Sequence, residues 1–185
     1  MHFSPTALPD AYIIDLQPHQ DERGFFARAW CQQEFAKYGL STQLAQCNMA
    51  LSHRAGTLRG MHYQISPHEE SKLVRCTKGA LYDVIIDLRL HSVTYLQWIG
   101  VELTANNYRM LYVPEGFAHG YQTLCDETEV FYQVSQCYQP GAEQAVRWND
   151  PAFSIEWPET NDRTMSDKDR NWPDFSSQII PQKSR

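Results

Sequence analysis

Short segments with a period of two, rather than long helical ones, set the fold class of this chain. Val84, Ile86 and Leu88 alternate with Asp83, Ile85 and Asp87, the pattern of a half-buried β-strand. Comparable segments run around 11–16, 57–64, 72–77, 95–103, 110–113 and 129–135, divided by Gly, Pro, Asn and Asp. Many short strands at this spacing predict an all-β sandwich or jelly-roll barrel. Helix signals are few. Gln32 to Tyr38 reads as a short helix closed by Gly39, and Ser166-Asp167-Lys168-Asp169 can open a short turn.

A length of 185 residues predicts one domain. It divides into an N-terminal arm over about 1–45, a barrel core over about 46–150 and a C-terminal segment over about 151–185. Hydrophobic content of 42% with 21% charged residues is that of a globular protein. A net charge of −6 argues against a nucleic-acid or anionic-membrane surface, though not against a small anionic ligand. Met1-His2-Phe3-Ser4-Pro5 has neither the basic nor the apolar stretch of a signal peptide, and no apolar run approaches a membrane span. The five cysteines, 31, 47, 76, 125 and 137, form no Cys-x-x-Cys pair. Reduced thiols in a cytoplasmic protein are the simplest reading.

Two motifs sharpen the fold. Val113-Pro114-Glu115-Gly116-Phe117-Ala118-His119 carries a Pro-x-Gly-x-x-His pattern that resembles the second motif of the cupins, double-stranded β-helix barrels. Leu58-Arg59-Gly60-Met61-His62-Tyr63-Gln64 resembles their first motif with metal ligands removed, since Gln64 stands where a second histidine is usual. His62 and His119 alone are too few donors for a catalytic zinc or non-haem iron site. The expectation is a metal-free barrel suited to proton transfer. No Gly-x-Gly-x-x-Gly loop is present, which argues against a Rossmann-type redox enzyme.

Over nearly its whole length the chain is similar to the dTDP-4-dehydrorhamnose 3,5-epimerase family. The resemblance is carried by Arg23-Gly24-Phe25-Phe26, Gln46-Cys47-Asn48, the two motifs above, Lys72-Leu73-Val74 and Asp83-Val84-Ile85-Ile86-Asp87-Leu88-Arg89. Trp148-Asn149-Asp150-Pro151 and Ser166-Asp167-Lys168-Asp169 complete it. Each is weak alone, but their order and spacing together are highly specific. The resemblance implies a reaction on a nucleotide-linked 4-keto-6-deoxy sugar, without metal or cofactor. The ketone acidifies the hydrogens at carbons 3 and 5. Inverting a centre then needs a base on one face, an acid on the other and a cation for the enolate oxygen.

By resemblance the base is His62, its carboxylate partner Asp169, the acid Tyr132 and the cation Lys72. Spacing alone leaves Asp83 and Asp87 open beside Asp169. Read without the family, His62 is a hydrogen-bonded core histidine and Tyr132 a core tyrosine. For the diphosphate the resemblance supplies Arg23, Arg59 and His119, where an arginine fork suits phosphate. Phe26, Gln46, Asn48, Tyr138, Glu143 and Lys168 match further nucleotide- and sugar-contacting positions. It also implies a homodimer in which an N-terminal strand brings Arg23 and Phe26 to the partner's site.

Two features stand out against this pattern. Arg59 and His62 are an odd number apart and would face opposite sides of a straight strand. Either Gly60 marks a bulge or the two serve different parts of the ligand. Arg28 and Cys47 occupy positions where the family usually has a glutamate and an aspartate. Arg28 has either turned outward or marks a different nucleotide preference. The rivals are a mono-epimerase, an epimerase of a CDP-, GDP- or UDP-linked sugar, and a non-catalytic sugar-nucleotide-binding cupin.

Overall fold

The computed structural model describes residues 1–175; the end of the expected C-terminal segment, 176–185, lies outside the described residues. The described chain forms β1 (His2–Pro5), β2 (Tyr12–Asp15), β3 (His19–Asp21), β4 (Gly24–Phe26), α1 (Gln32–Lys37), β5 (Gln46–Ser52) and β6 (Leu58–Gln64). There follow β7 (Lys72–Lys78), β8 (Ala80–Asp87), β9 (Trp98–Thr104), β10 (Met110–Val113), β11 (Phe117–Thr123), β12 (Thr128–Val134), β13 (Glu143–Ala145) and α2 (Asp167–Arg170). One sheet runs β1-β2-β10-β7-β12-β5 and a second runs β13-β6-β11-β8-β9, while β3 and β4 pair only with each other. Strand pairing is antiparallel throughout. This is the expected jelly roll, and residues before 45 supply two of its strands.

Three apolar layers hold it together. Between the sheets, Val74, Leu111 and Val130 meet Leu81, Ile85, Leu103 and Phe117. Behind the second sheet, Val84, Ile86, Leu88 and Met61 pack on Val146, just after β13, and on Phe153 from the C-terminal segment. Behind the first, Phe35 of α1 packs on Ile14, Leu73 and Met110. The alternation in 83–88 therefore does not mark a half-buried strand: Asp83, Val84, Ile85, Ile86 and Asp87 are all buried. One face looks into the barrel and the other is covered by the C-terminal segment. The period reports which sheet face a residue serves, not which side meets water.

The expected helix ends one residue early. Tyr38 is the C-cap of α1, and Gly39, at φ +71, takes the left-handed position that closes it. At α2, Ser166 is the N-cap and accepts the Asp169 N–H at 3.0 Å. This small cap sets the direction of Asp169.

Asp87, one of the candidates left open for His62, anchors the fold instead. Its carboxylate accepts from Arg89 Nε at 2.9 Å, Ser92 Oγ at 2.5 Å and Thr94 Oγ1 at 2.8 Å. Arg89 goes on to Asp10 at 2.7 Å and the Pro9 carbonyl at 3.0 Å, and lies over the Phe117 ring. One buried carboxylate thus ties together the N-terminal loop, the end of β8 and the start of β11.

Candidate functional site

β6 and β11 are neighbours, and their register sets His62 opposite His119 and Arg59 opposite Tyr121. Between those pairs β6 takes three steps (59 to 62) and β11 two (119 to 121), so β6 carries a bulge. Gly60 makes it possible: its φ is +138, and a β-carbon there would stand 2.5 Å from Gly120 Cα. The bulge resolves the odd spacing. Arg59 and His62 line one cavity of about 440 Å³, together with Lys72, His119, Tyr121, Tyr132 and Asp169. A second hollow of about 390 Å³ adjoins it, lined by Gln46, Asn48, Glu70, Tyr138 and Glu143 and again by His62, Lys72 and Tyr132. Those three shared side chains mark the junction of the two.

Two histidine–carboxylate pairs stand side by side. His62 Nε2 lies 2.6 Å from Asp169 Oδ1, and His119 Nε2 lies 2.6 Å from Asp83 Oδ1. Spacing left three carboxylates open for His62; the fold gives it Asp169 and commits Asp83 to His119. Burial opposes the charged form of Asp169, but the bonds from His62 and Ser166 outweigh it and hold the carboxyl below its usual range. With an ionised Asp169 accepting from Nε2–H, the His62 lone pair is left on Nδ1.

Across the cavity stand residues of the other sheet. Lys72 opens β7 and its Nζ meets Glu70 Oε1 at 2.8 Å, both side chains being almost enclosed. Tyr132 on β12 has its phenol pKa raised by burial and further by the Glu70 charge, with Arg59 opposing. That shift favours its protonated form. Burial pushes Tyr121 up to about 12.

The second hollow is a polar cluster. Glu143 Oε2 accepts from Tyr138 Oη at 2.7 Å and from Lys168 Nζ at 2.5 Å, while Gln46 Oε1 accepts the Tyr138 N–H at 2.9 Å. Burial works against the Glu143 charge, but Lys168 and Tyr138 more than offset it and its pKa is lowered. Lys168 lines neither cavity and joins the cluster through Glu143.

Arg23 and Phe26 are not brought to the cavity of their own chain. Both lie on the β3–β4 hairpin, Arg23 with a side chain 84% exposed and bonded to Asp21. Arg28 also points outward, 60% exposed, with a long contact of 3.5 Å to Glu34. In its own chain it stands away from the cavity, and its bearing on nucleotide preference is left to the nucleotide-sugar assay below. Cys47 lies exposed on β5. Glu70 and Tyr121 enter the site unforeseen, and Asp83 enters it as the partner of His119 rather than of His62. Tyr121 carried a usable signal, two positions beyond His119 on one strand; Glu70, in the β6–β7 loop, carried none.

With this geometry in view, the comparisons with known proteins are specific. Residues 5–177 match the family model described as dTDP-4-dehydrorhamnose 3,5-epimerase. The chain is 41% identical over 176 residues to the Shigella flexneri protein of that name, covering 95% of this chain and 96% of the relative. A Bacillus anthracis dTDP-4-dehydrorhamnose 3,5-epimerase, solved with TDP and pyrophosphate bound, superposes with a TM-score of 0.90. It is 40% identical, covering 94% of this chain and 99% of that one. A Legionella pneumophila enzyme in complex with dTDP-4-keto-L-rhamnose gives a TM-score of 0.91 at 31% identity, covering 100% of this chain and 99% of that one. The chain belongs to the dTDP-4-dehydrorhamnose 3,5-epimerase family.

Proposed function

We propose that this protein inverts carbons 3 and 5 of a dTDP-linked 4-keto-6-deoxyhexose, as a step of deoxysugar biosynthesis of the kind that yields dTDP-L-rhamnose. One observation carries the reading: His62 and Tyr132 line the same cavity from two different sheets, with Lys72 between the two hollows. Inversion needs that arrangement. His62, held by Asp169, takes the proton next to the ketone on one face. The electron pair moves onto the ketone oxygen, where the Lys72 ammonium stabilises the enolate. Tyr132 returns a proton to the opposite face, and both groups then exchange with solvent. Every proton and charge is handled by groups of the chain itself, so no cofactor enters the scheme.

Arg59 and His119, beside the catalytic groups, suit the diphosphate; Gln46, Asn48, Tyr138, Glu143 and Lys168 suit the sugar and nucleoside. The outward turn of Arg28 leaves recognition of the base to these. Five free cysteines support the cytoplasm as its compartment, and among the described residues no helix is long and apolar enough to cross a membrane. The deciding assay is proton NMR of products from dTDP-, CDP-, GDP- and UDP-4-keto-6-deoxyglucose. Inversion of both centres of the dTDP sugar is expected. Inversion of one centre, or a preference for another nucleotide, selects a rival, and binding without solvent exchange removes the enzyme reading.

The functional unit on this reading is a homodimer whose hairpins exchange Arg23 and Phe26. Exposed Phe25, Phe26, Met49 and Leu51 support it. Arg23→Ala is expected to raise KM about tenfold or more with kcat nearly unchanged, the mark of a lost ground-state contact. Mixing it with a His62→Ala protein should restore part of the activity, because each supplies what the other lacks. A fully active monomer in sedimentation at assay concentration rules the exchange out.

A further inference from the structure

The position where a metal-holding barrel of this kind would keep a ligand, Gln64, has here become part of a different device. Gln64 lies two residues beyond His62 on β6 and is almost fully buried. Its amide is locked: Oε1 accepts the Gln139 N–H at 2.7 Å, and Nε2 donates to the His68 carbonyl at 3.0 Å and the Cys137 carbonyl at 3.3 Å. From that anchored state Nε2 also reaches Glu70 Oε2 at 3.4 Å. The other oxygen, Glu70 Oε1, is the one 2.8 Å from Lys72 Nζ. The carboxylate therefore has a locked amide at long range on one side, sharing a hydrogen with a carbonyl, and on the other holds an ammonium.

We propose that Glu70 is the positioning residue of the electrophile: it holds the Lys72 ammonium aimed at the junction of the two hollows, where the enolate oxygen forms. This rests on the epimerase reading above. The physical need is plain. With side chains 10% and 11% exposed, Lys72 and Glu70 lie where water does little to support a charge. A buried ammonium without its counter-ion is destabilised and swings out of the junction, and from there it cannot stabilise an enolate. The titratable groups that line the hollow together with Glu70 are His62 and Tyr63 of β6, Lys72 of β7, Tyr132 of β12, Tyr138, and Glu143 of β13. Glu143 is already engaged by Lys168 and Tyr138. Among these groups Lys72 is the one cation that Glu70 holds. An ammonium has three donor hydrogens, so one taken by Glu70 leaves others for the substrate. The same carboxylate favours the protonated Tyr132 phenol, so one residue serves both the cation and the acid.

The test is steady-state kinetics and solvent deuterium wash-in for Glu70→Gln and Glu70→Asp, with thermal unfolding to check that each folds. Glu70→Gln is expected to lower kcat by about 10- to 100-fold, the range for losing a residue that orients a working group, with little change in KM. Wash-in should fall with it, because enolate formation itself is slowed. The basic limb of kcat should move to lower pH, because without the carboxylate the Tyr132 phenol loses its proton more readily. Glu70→Asp keeps the charge, and should hold that limb near the wild type while recovering part of the rate. A folded Glu70→Gln with kcat within about threefold of the wild type and an unmoved basic limb overturns the proposal, as does an effect confined to KM. If Glu70→Gln does not fold, Glu70→Asp decides: a displaced basic limb there overturns it equally. A wild-type protein that neither exchanges nor inverts the sugar fails the epimerase reading instead.

Discussion

His62→Ala should abolish deuterium wash-in at both carbon 3 and carbon 5 of the 4-keto sugar, with a loss of at least about 10²–10⁴-fold in turnover. The expectation follows from geometry. His62 is the histidine at the junction of the two hollows, and its Nε2 is bound by a carboxylate whose lowered pKa keeps it ionised. That leaves a lone pair on the remaining nitrogen. His119, the neighbouring histidine, lines only the first hollow and is bound to Asp83. Tyr132→Phe should behave differently. It leaves the base and Lys72 in place, so exchange continues, but the opposite face has no donor and inversion is lost. Mass spectrometry of recovered substrate and NMR of product separate the two outcomes. Exchange at the normal rate in His62→Ala would show that the base is another group.

Asp87→Ala should be among the most damaging substitutions for stability while touching no site residue. It removes the acceptor of five hydrogen bonds from Arg89, Ser92 and Thr94. Arg89 is left half-enclosed with Asp10 and a carbonyl as its acceptors. Removing one partner of such a buried pair costs about 3–5 kcal/mol. For a chain of this size that is a fall of roughly 6–20 °C in Tm. Burial opposes the Asp87 charge, yet the bonds from Arg89, Ser92 and Thr94 win and its pKa lies below the usual range. A carboxylate with a depressed folded value stabilises above its unfolded value, about 4, and that contribution fades as pH falls through the folded value. The variant's deficit should thus be full at neutral pH and shrink in acid. An unfolding scan showing the same Tm as the wild type at pH 7 would remove Asp87 from this role.

The sequence yielded the strands whose alternation survives burial. Segments 57–64, 72–77, 110–113 and 129–135 fall on β6, β7, β10 and β12 within a residue or two. β11 escaped, because Phe117–Thr123 is buried on both faces and mixes apolar and polar residues without a period. β5 escaped for the opposite reason: it is a largely exposed strand at a sheet edge, with Met49 and Leu51 left in the open. In the site, the family resemblance named His62, Asp169, Lys72 and Tyr132, but spacing alone could not choose Asp169 over Asp83 or Asp87 as the partner of His62. Asp169 is 107 residues from His62, and only the α2 cap brings it back. Glu70 was invisible because a loop glutamate has no local signature until its lysine is seen buried beside it.

If His62 and Tyr132 act as proposed, their placement on different sheets has a consequence for stereochemistry. Sheets packed face to face lie about 10 Å apart, a gap set by the side chains that fill it. Here the filling is Val74, Leu111, Ile85 and Leu103, none of which needs to meet the sugar. Their bulk works as a spacer, fixing how far Tyr132 stands from the carbon that His62 has stripped. Deprotonation depends on one wall alone, whereas handedness depends on the gap between two. A looser filling would therefore leave an enzyme that still scrambles hydrogen but no longer chooses the product's configuration.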